Sequence, residues 1–226
     1  MMLTTSHEPD ILQYGAYTRQ QASLISRVHP RTVSYWFDGD SSRGPAIQLH
    51  MPENDRGLIS FVDLVQLLGV HAIRSKHKVS LQKIREAVKT AEQLGVTFPF
   101  ARNSAKAFLW NDRIVLKTDD GDFIEATGKH ARAFLIEPII LPYLKDLTFD
   151  TDGLPNTYRP LQNILLSPKR QWGAPIVEGC NYTVQTLVSA VQNEGSIEAA
   201  ADMCGVSEDD VRSALRYEDH LLGIAA

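Results

Sequence analysis

A helix, a break and a second helix occur near each end of this chain, and no feature restricts its fold more. In "YTRQQASLISRVHPRTVSYWF" (Tyr17–Phe37), Ala22 and Ile25 share one helical face and Thr18 stands where an N-cap belongs. Pro30 keeps His29 out of the helical region and suits the first turn of a new helix. In that second helix Val33, Trp36 and Phe37 form an inward stripe, leaving Arg31, Thr32, Ser34 and Tyr35 facing out. Near the other end, "SIEAAADMCGVSEDDVRSALRYEDHL" (Ser196–Leu221) follows the same plan. Ser207 and Asp210 make a capping box there, and Val206, Val211, Ala214 and Leu215 an inner face. Both stretches read as helix-turn-helix units, though neither is a detectable copy of the other.

Charge separates the two. Residues 1–100 hold 11 Lys/Arg against 9 Asp/Glu, and residues 101–226 hold 12 against 18. After Gln171 only Arg212 and Arg216 oppose nine carboxylates, whereas Ile11–Phe37 has three arginines and no carboxylate. A recognition helix meets DNA with its N-terminal residues, between rows of phosphates. In the C-terminal unit those residues are Glu208, Asp209 and Asp210, which suit a helix dipole and repel phosphate. That unit is expected to pack or to bind protein. The N-terminal unit is expected to read DNA.

The candidate DNA contacts follow from this assignment. Arg31, Thr32, Ser34 and Tyr35 can reach base edges or phosphates, since arginine forks suit guanine and short hydroxyls suit either. Arg19, Gln20 and Gln21 open the first helix and can hold the backbone; Arg27 and His29 flank the break. Arg43 lies in the Gly/Pro/Ser-rich "FDGDSSRGPAIQLHMPENDRGLIS", expected to be a turn or small hairpin, a wing. The run "RSKHKVSLQKIREAVK" sets six Lys/Arg against one Glu and suits a second phosphate-contacting flank, or a solvated helical face.

Between the two units the periodicity changes twice. "SFVDLVQLLGVHAIRSKH" carries Phe61, Leu64, Val65 and Leu68 at helical spacing. "SLQKIREAVKTAEQLGV" carries Leu81, Ile84, Val88 and Ala91, with Ser80 as cap and Gly95 as stop. "KAFLW", "RIVLK" and "DFIEA" then predict short strands joined by turns. A helix is expected around "RAFLIEPIILPYLKDL", a loop over "TFDTDGLPNTYRPL", and strand, turn, strand over "NILLSPKRQWGAPIVEG". "TVQTLVSAVQNEG" opens the helical end. The fold class expected is α+β, mostly helical. Its parts would be a DNA-binding domain over residues 1–100, a strand and helix connector over 101–160 and a helical domain over 161–226.

Nothing points to an enzyme. GxSxG, P-loop and GxGxxG motifs do not occur, and the seven histidines make no ligand spacing. Counting twelve from Asp150 reaches Leu161 rather than a glutamate, so "FDTDGL" is a turn and not a calcium loop. Cys180 and Cys204 stand alone, which excludes a zinc site or disulfide framework and fits a reducing cytoplasm. The start lacks the basic and apolar regions of a signal peptide. Neither a metal nor a cofactor is expected.

The segment from Tyr17 to about Val96, with "FVDLVQL" and "VSLQKIREAV" after the proposed wing, resembles a MerR-type winged helix-turn-helix. "GAPIVEG" and "SIEAAADMCGVSEDDVRSAL", with the spacing between them, resemble the small DUF433 domain. Together they resemble the longer antitoxins of the VapB45 type over nearly the whole chain. That resemblance implies a cytoplasmic homodimer that represses its own operator and neutralises a PIN-type ribonuclease toxin. A regulator without a toxin partner and a purely structural interaction module are the alternatives. MerR-type sensors end in a dimerising coiled coil; here Gly95 and Pro99 stop the helix, so neither that coiled coil nor metal sensing is expected.

Overall fold

A computed structural model describes residues 15–49, 57–93, 97–102, 107–110, 113–117, 123–125, 137–138 and 146–223. The architecture is α+β, with helices joined by small antiparallel strand groups. The first group fixes the N-terminal helices. Strand β1 (Gly15–Thr18) pairs with β2 (Leu58–Ser60), and each strand runs directly into a helix through its own cap. Thr18 accepts from the Gln21 amide while Gln21 accepts in return from Thr18, closing a capping box on α1 (Arg19–Ser26). Ser60 caps α3 (Phe61–His77) by accepting from the Asp63 amide, and its hydroxyl donates to the Asp63 carboxylate at 2.7 Å.

Between them lies α2 (Pro30–Asp38), with Pro30 at its first turn and His29 as N-cap. Arg27 ends α1 in the left-handed region at φ 55°, and three residues suffice to turn the chain into α2. The stripe Val33, Trp36, Phe37 is buried as its spacing predicts. Helix α3 is buried more completely than a single stripe requires: every residue from Phe61 to Val70 is inside. It packs against α1, β1, β2 and a later strand, so it serves as the central post of this half. Helix α4 (Leu81–Gln93) turns Ile84, Ala87 and Ala91 inward, and Ser80 accepts from the Lys83 amide at its start. Gly95, the expected stop, lies outside the described residues.

The central strands form at the short apolar stretches that predict them. A four-stranded sheet has the order β5–β4–β3–β6, with β3 Ala107–Trp110, β4 Arg113–Lys117, β5 Phe123–Glu125 and β6 Glu137–Pro138. Two expectations fail here. Glu137 and Pro138, expected within a helix, lie on the outermost strand, where a proline forfeits no ladder bond. The rest of that window up to Lys145 lies outside the described residues. "TFDTDGLPNTY" is a hairpin rather than a loop: β7 (Leu147–Phe149) pairs with β8 (Pro155–Tyr158). Its turn is closed by Asp150, whose carboxylate accepts from the amides of Asp152 and Leu154.

The end of the chain builds as expected. Strands β9 (Ile164–Leu165) and β10 (Ile176–Val177) pair across a connection that includes a 3₁₀ turn at Gln171–Gly173. Three capped helices follow: α5 (Val184–Glu194), α6 (Ile197–Cys204) and α7 (Glu208–Leu222). Their side chains join one continuous apolar core with those of the N-terminal half, from Tyr17 through Phe61 and Ile164 to Val211 and Tyr217. The hydroxyl of Tyr17 crosses the joint and donates to the Gly173 carbonyl at 2.7 Å. No helix among the described residues is long and apolar enough to cross a membrane.

Candidate nucleic-acid interface

Helix α2 is held by its aromatic residues. Tyr35, Trp36 and Phe37 each lie under a guanidinium from a different element. Arg85 of α4 covers Tyr35 at 5.1 Å, Arg74 of α3 covers Trp36 at 5.8 Å, and Arg19 of α1 covers Phe37 at 5.0 Å. Each arginine is also tied by hydrogen bonds. Arg19 pairs with Asp38 at 2.8 Å, Arg74 donates to the Val79 carbonyl, and Arg85 donates to the Gly44 carbonyl at 2.7 Å. The last contact anchors the turn after α2, where Asp40 accepts from Ser42 and Arg43. Those bonds, led by the Ser42 hydroxyl, hold the Asp40 carboxyl below its ordinary value.

This geometry divides the predicted contacts into two sets. Gln20, Arg31, Thr32 and Ser34 have no side-chain hydrogen bond or ion pair among the described residues, and Gln20 and Arg31 are exposed. Arg43 is exposed and lies beside Asp40 in the turn. The other residues have internal work. Arg19 is committed to Asp38 and Phe37, Gln21 to the cap of α1, and Tyr35 to Arg85. His29 caps α2, with Nδ1 accepting from the Arg31 amide. Arg27 donates to both Nδ1 and the carbonyl of His220, at 2.8 and 3.0 Å, joining the N-terminal unit to α7.

Of the expected wing, the described residues show a turn and no strand. The turn at Asp40–Arg43 forms, and Ala46 and Ile47 donate their amides to the Trp36 carbonyl, but no strand forms over residues 46–49. Residues 50–56, where a second wing strand would fall, lie outside the described residues. The basic run is likewise divided. Arg74 and Arg85 face α2, whereas Lys76, Lys78 and Lys89 are exposed. The inward role of Arg19, Arg74 and Arg85 was missed in the sequence. Three consecutive aromatics beside several arginines were the available signal.

The C-terminal pair repeats the outline of the first, an eight-residue helix, a left-handed cap and a short connection, with opposite charge. Ser207 and Asp210 cap each other as predicted, and Glu208 pairs with Arg212 one turn on at 2.7 Å. Asp209 is exposed, so carboxylates crowd the start of α7. Cys180 and Cys204 are free and half-buried, and burial pushes the Cys180 thiol up, away from thiolate chemistry.

No family model matches the chain. A Mycobacterium tuberculosis H37Rv protein provisionally named antitoxin VapB45 is 25% identical over 222 residues, spanning 88% of this chain and 92% of that protein. The crystal structure of Rv2018 from Mycobacterium tuberculosis has the same fold, with a TM-score of 0.61 at 21% identity. That match covers 89% of this chain and 98% of the other.

Proposed function

We propose that the protein is an antitoxin that binds operator DNA through α2, as a homodimer, and neutralises a PIN-type ribonuclease toxin. The observation that carries the antitoxin reading is the nearly end-to-end similarity to a protein of that name. The division of charge assigns the ends. An acid-free N-terminus on α2, with Arg31 exposed beside it, favours contact with a polyanion. Three carboxylates at the start of α7 oppose such contact and favour a cationic protein.

In this reading Gln20, Arg31, Thr32, Ser34 and Arg43 meet the duplex. Arg19, Tyr35 and His29 are positioning residues that hold α2 against the body. Gln21 serves the cap of α1, and Arg27 ties that helix pair to α7. A dimer would present two copies of α2 to half-sites about one DNA turn apart, ~34–36 Å.

Two measurements test the proposal. The protein should shift a duplex taken from upstream of its own gene, and co-expression should restore growth to cells producing the ribonuclease from the adjacent reading frame. Operator binding without rescue would leave a regulator lacking a toxin partner. Failure of both would overturn the proposal.

A further inference from the structure

Arg85 stands where three elements meet. It projects from α4, its guanidinium covers the Tyr35 ring of α2 at 5.1 Å, and its Nε donates to the Gly44 carbonyl at 2.7 Å. Arg43, an exposed residue proposed to meet the duplex, is the neighbour of Gly44. One side chain therefore ties α2 to the turn that follows it. The planar guanidinium allows this, because its face stacks on a ring while its edge donates.

The other hydrogen bonds at residues 39–44, among the described residues, run within the turn or back to its root. The Asp40 amide donates to the Arg43 carbonyl, the Asp40 carboxylate accepts from Ser42 and Arg43, and the Gly39 amide donates to the Tyr35 carbonyl. These bonds shape the turn; the bond from Arg85 holds its far side to the body. Keeping a guanidinium here is costly. One of its amino nitrogens is buried without a hydrogen-bond partner among the described residues, and an unpaired buried donor destabilises a fold. Methionine is a similarly long side chain, packs well on an aromatic ring and leaves no donor unpaired. Stability alone does not require arginine at this position.

We propose that Arg85 is a positioning residue for DNA recognition: by locking the turn to Tyr35 it holds Arg43 at a fixed place beside Arg31, so that both meet the duplex together. The proposal rests on the reading that α2 meets DNA. Arg85 acts through Arg43 and touches no phosphate itself. A contact residue fixed before binding spares the ordering cost that association otherwise incurs. Loosening the turn therefore weakens DNA binding while every DNA contact residue is still present.

The test combines titration of the full chain with a duplex from upstream of its own gene, thermal melting, and NMR of the free protein. Arg85→Met should melt like the parent and bind the duplex roughly tenfold more weakly. Arg85→Lys keeps the charge but cannot stack and donate at once, so it should bind as weakly as Arg85→Met. It also carries the test should Arg85→Met fail to fold. Arg43→Ala should weaken binding by the parent protein and add little in the Arg85 variant, because a loosened turn no longer presents Arg43. In the free protein, amide exchange at Asp40, Ser42 and Arg43 should speed up when Arg85 is replaced. Full affinity in Arg85→Lys would show that charge alone matters and overturn the proposal. Additive losses for the Arg43 and Arg85 substitutions, or unchanged amide exchange, would overturn it as well. A parent protein that binds no duplex would overturn the DNA reading itself, and this role with it.

Discussion

Arg31 and Arg19 look alike in the sequence, two arginines on adjacent short helices, yet their surroundings differ. Arg31 is exposed without a side-chain partner among the described residues, while Arg19 is held by Asp38 and the Phe37 ring. Substituting them should therefore read out differently. Arg31→Ala should leave the melting temperature unchanged and cost about 1–3 kcal/mol of operator affinity if it grips a guanine. If it holds a phosphate, binding should weaken evenly across sequences and the salt slope should fall by about one. Arg19→Ala should lower the melting temperature as well as DNA affinity, because it loosens α2. Gel-shift titrations at several salt concentrations, paired with melting curves, separate the two residues. Equal affinity losses with equal stability losses would contradict the division drawn here.

At the scale of elements, capping decides where helices begin, and α7 shows what a cap demands of its neighbours. Asp210 closes the capping box with Ser207 and also lies against the chain at Gly179. A methyl group on Gly179 would stand 2.5 Å from the Asp210 carboxylate oxygen. Gly179→Ala must therefore displace that carboxylate and disturb the cap, with an expected loss of about 1–2 kcal/mol of stability. In an Asp210→Ala background the obstruction is gone, so the second substitution should cost less than it does alone. Chemical denaturation of the four members of that cycle checks the coupling; additive losses would refute it. The same carboxylates supply the electrostatic control on DNA. Asp209→Ala with Asp210→Ala should leave operator affinity unchanged or slightly raised, and a loss of operator binding would place the reading helix at the wrong end.

For the whole molecule, the joint between the first and last segments governs stability. Tyr17→Phe removes the buried hydrogen bond to the Gly173 carbonyl and should cost about 0.5–1.5 kcal/mol, seen as a lower melting temperature. Truncation after Arg170 should abolish cooperative unfolding, since it uncovers the apolar face that Leu187, Val211 and Tyr217 protect. A toxin surface is thus better mapped by charge substitutions than by deletion. The Arg27–His220 contact adds a pH dependence. Partial burial, then the Arg27 charge, depress the His220 value, and Nδ1 must stay unprotonated to accept the guanidinium. A depressed value in the folded state means that this stability is fully present above the ordinary histidine value and is lost as the pH falls below it. Melting temperatures should decline on acidification below about pH 6.5, the ordinary histidine value. His220→Gln should flatten part of that decline; His71, depressed by burial, supplies another part. An unchanged pH profile in His220→Gln would exclude the contact as a contributor.

Much of the fold lay in local patterns. Thr18, Pro30 and Ser207 mark helix starts through backbone chemistry that acts within a few residues, and the stripe Val33, Trp36, Phe37 states which way α2 faces. The strands from Ala107 to Glu125 show themselves as short apolar runs set between turn residues, and the charge difference between α2 and α7 is visible without coordinates. What the sequence could not decide depends on distant partners. Glu137 and Pro138 become a strand because an open edge of β3 is there to receive them, and the hairpin from Leu147 to Tyr158 is hidden because Gly153 and Pro155 imitate a loop. Among the predicted DNA contacts, Arg19, Tyr35 and Arg27 turned out to be occupied by Asp38, Arg85 and His220. A side chain's freedom to meet a ligand depends on what else packs within reach, and for Arg27 and His220 that neighbour is 193 residues away in the chain.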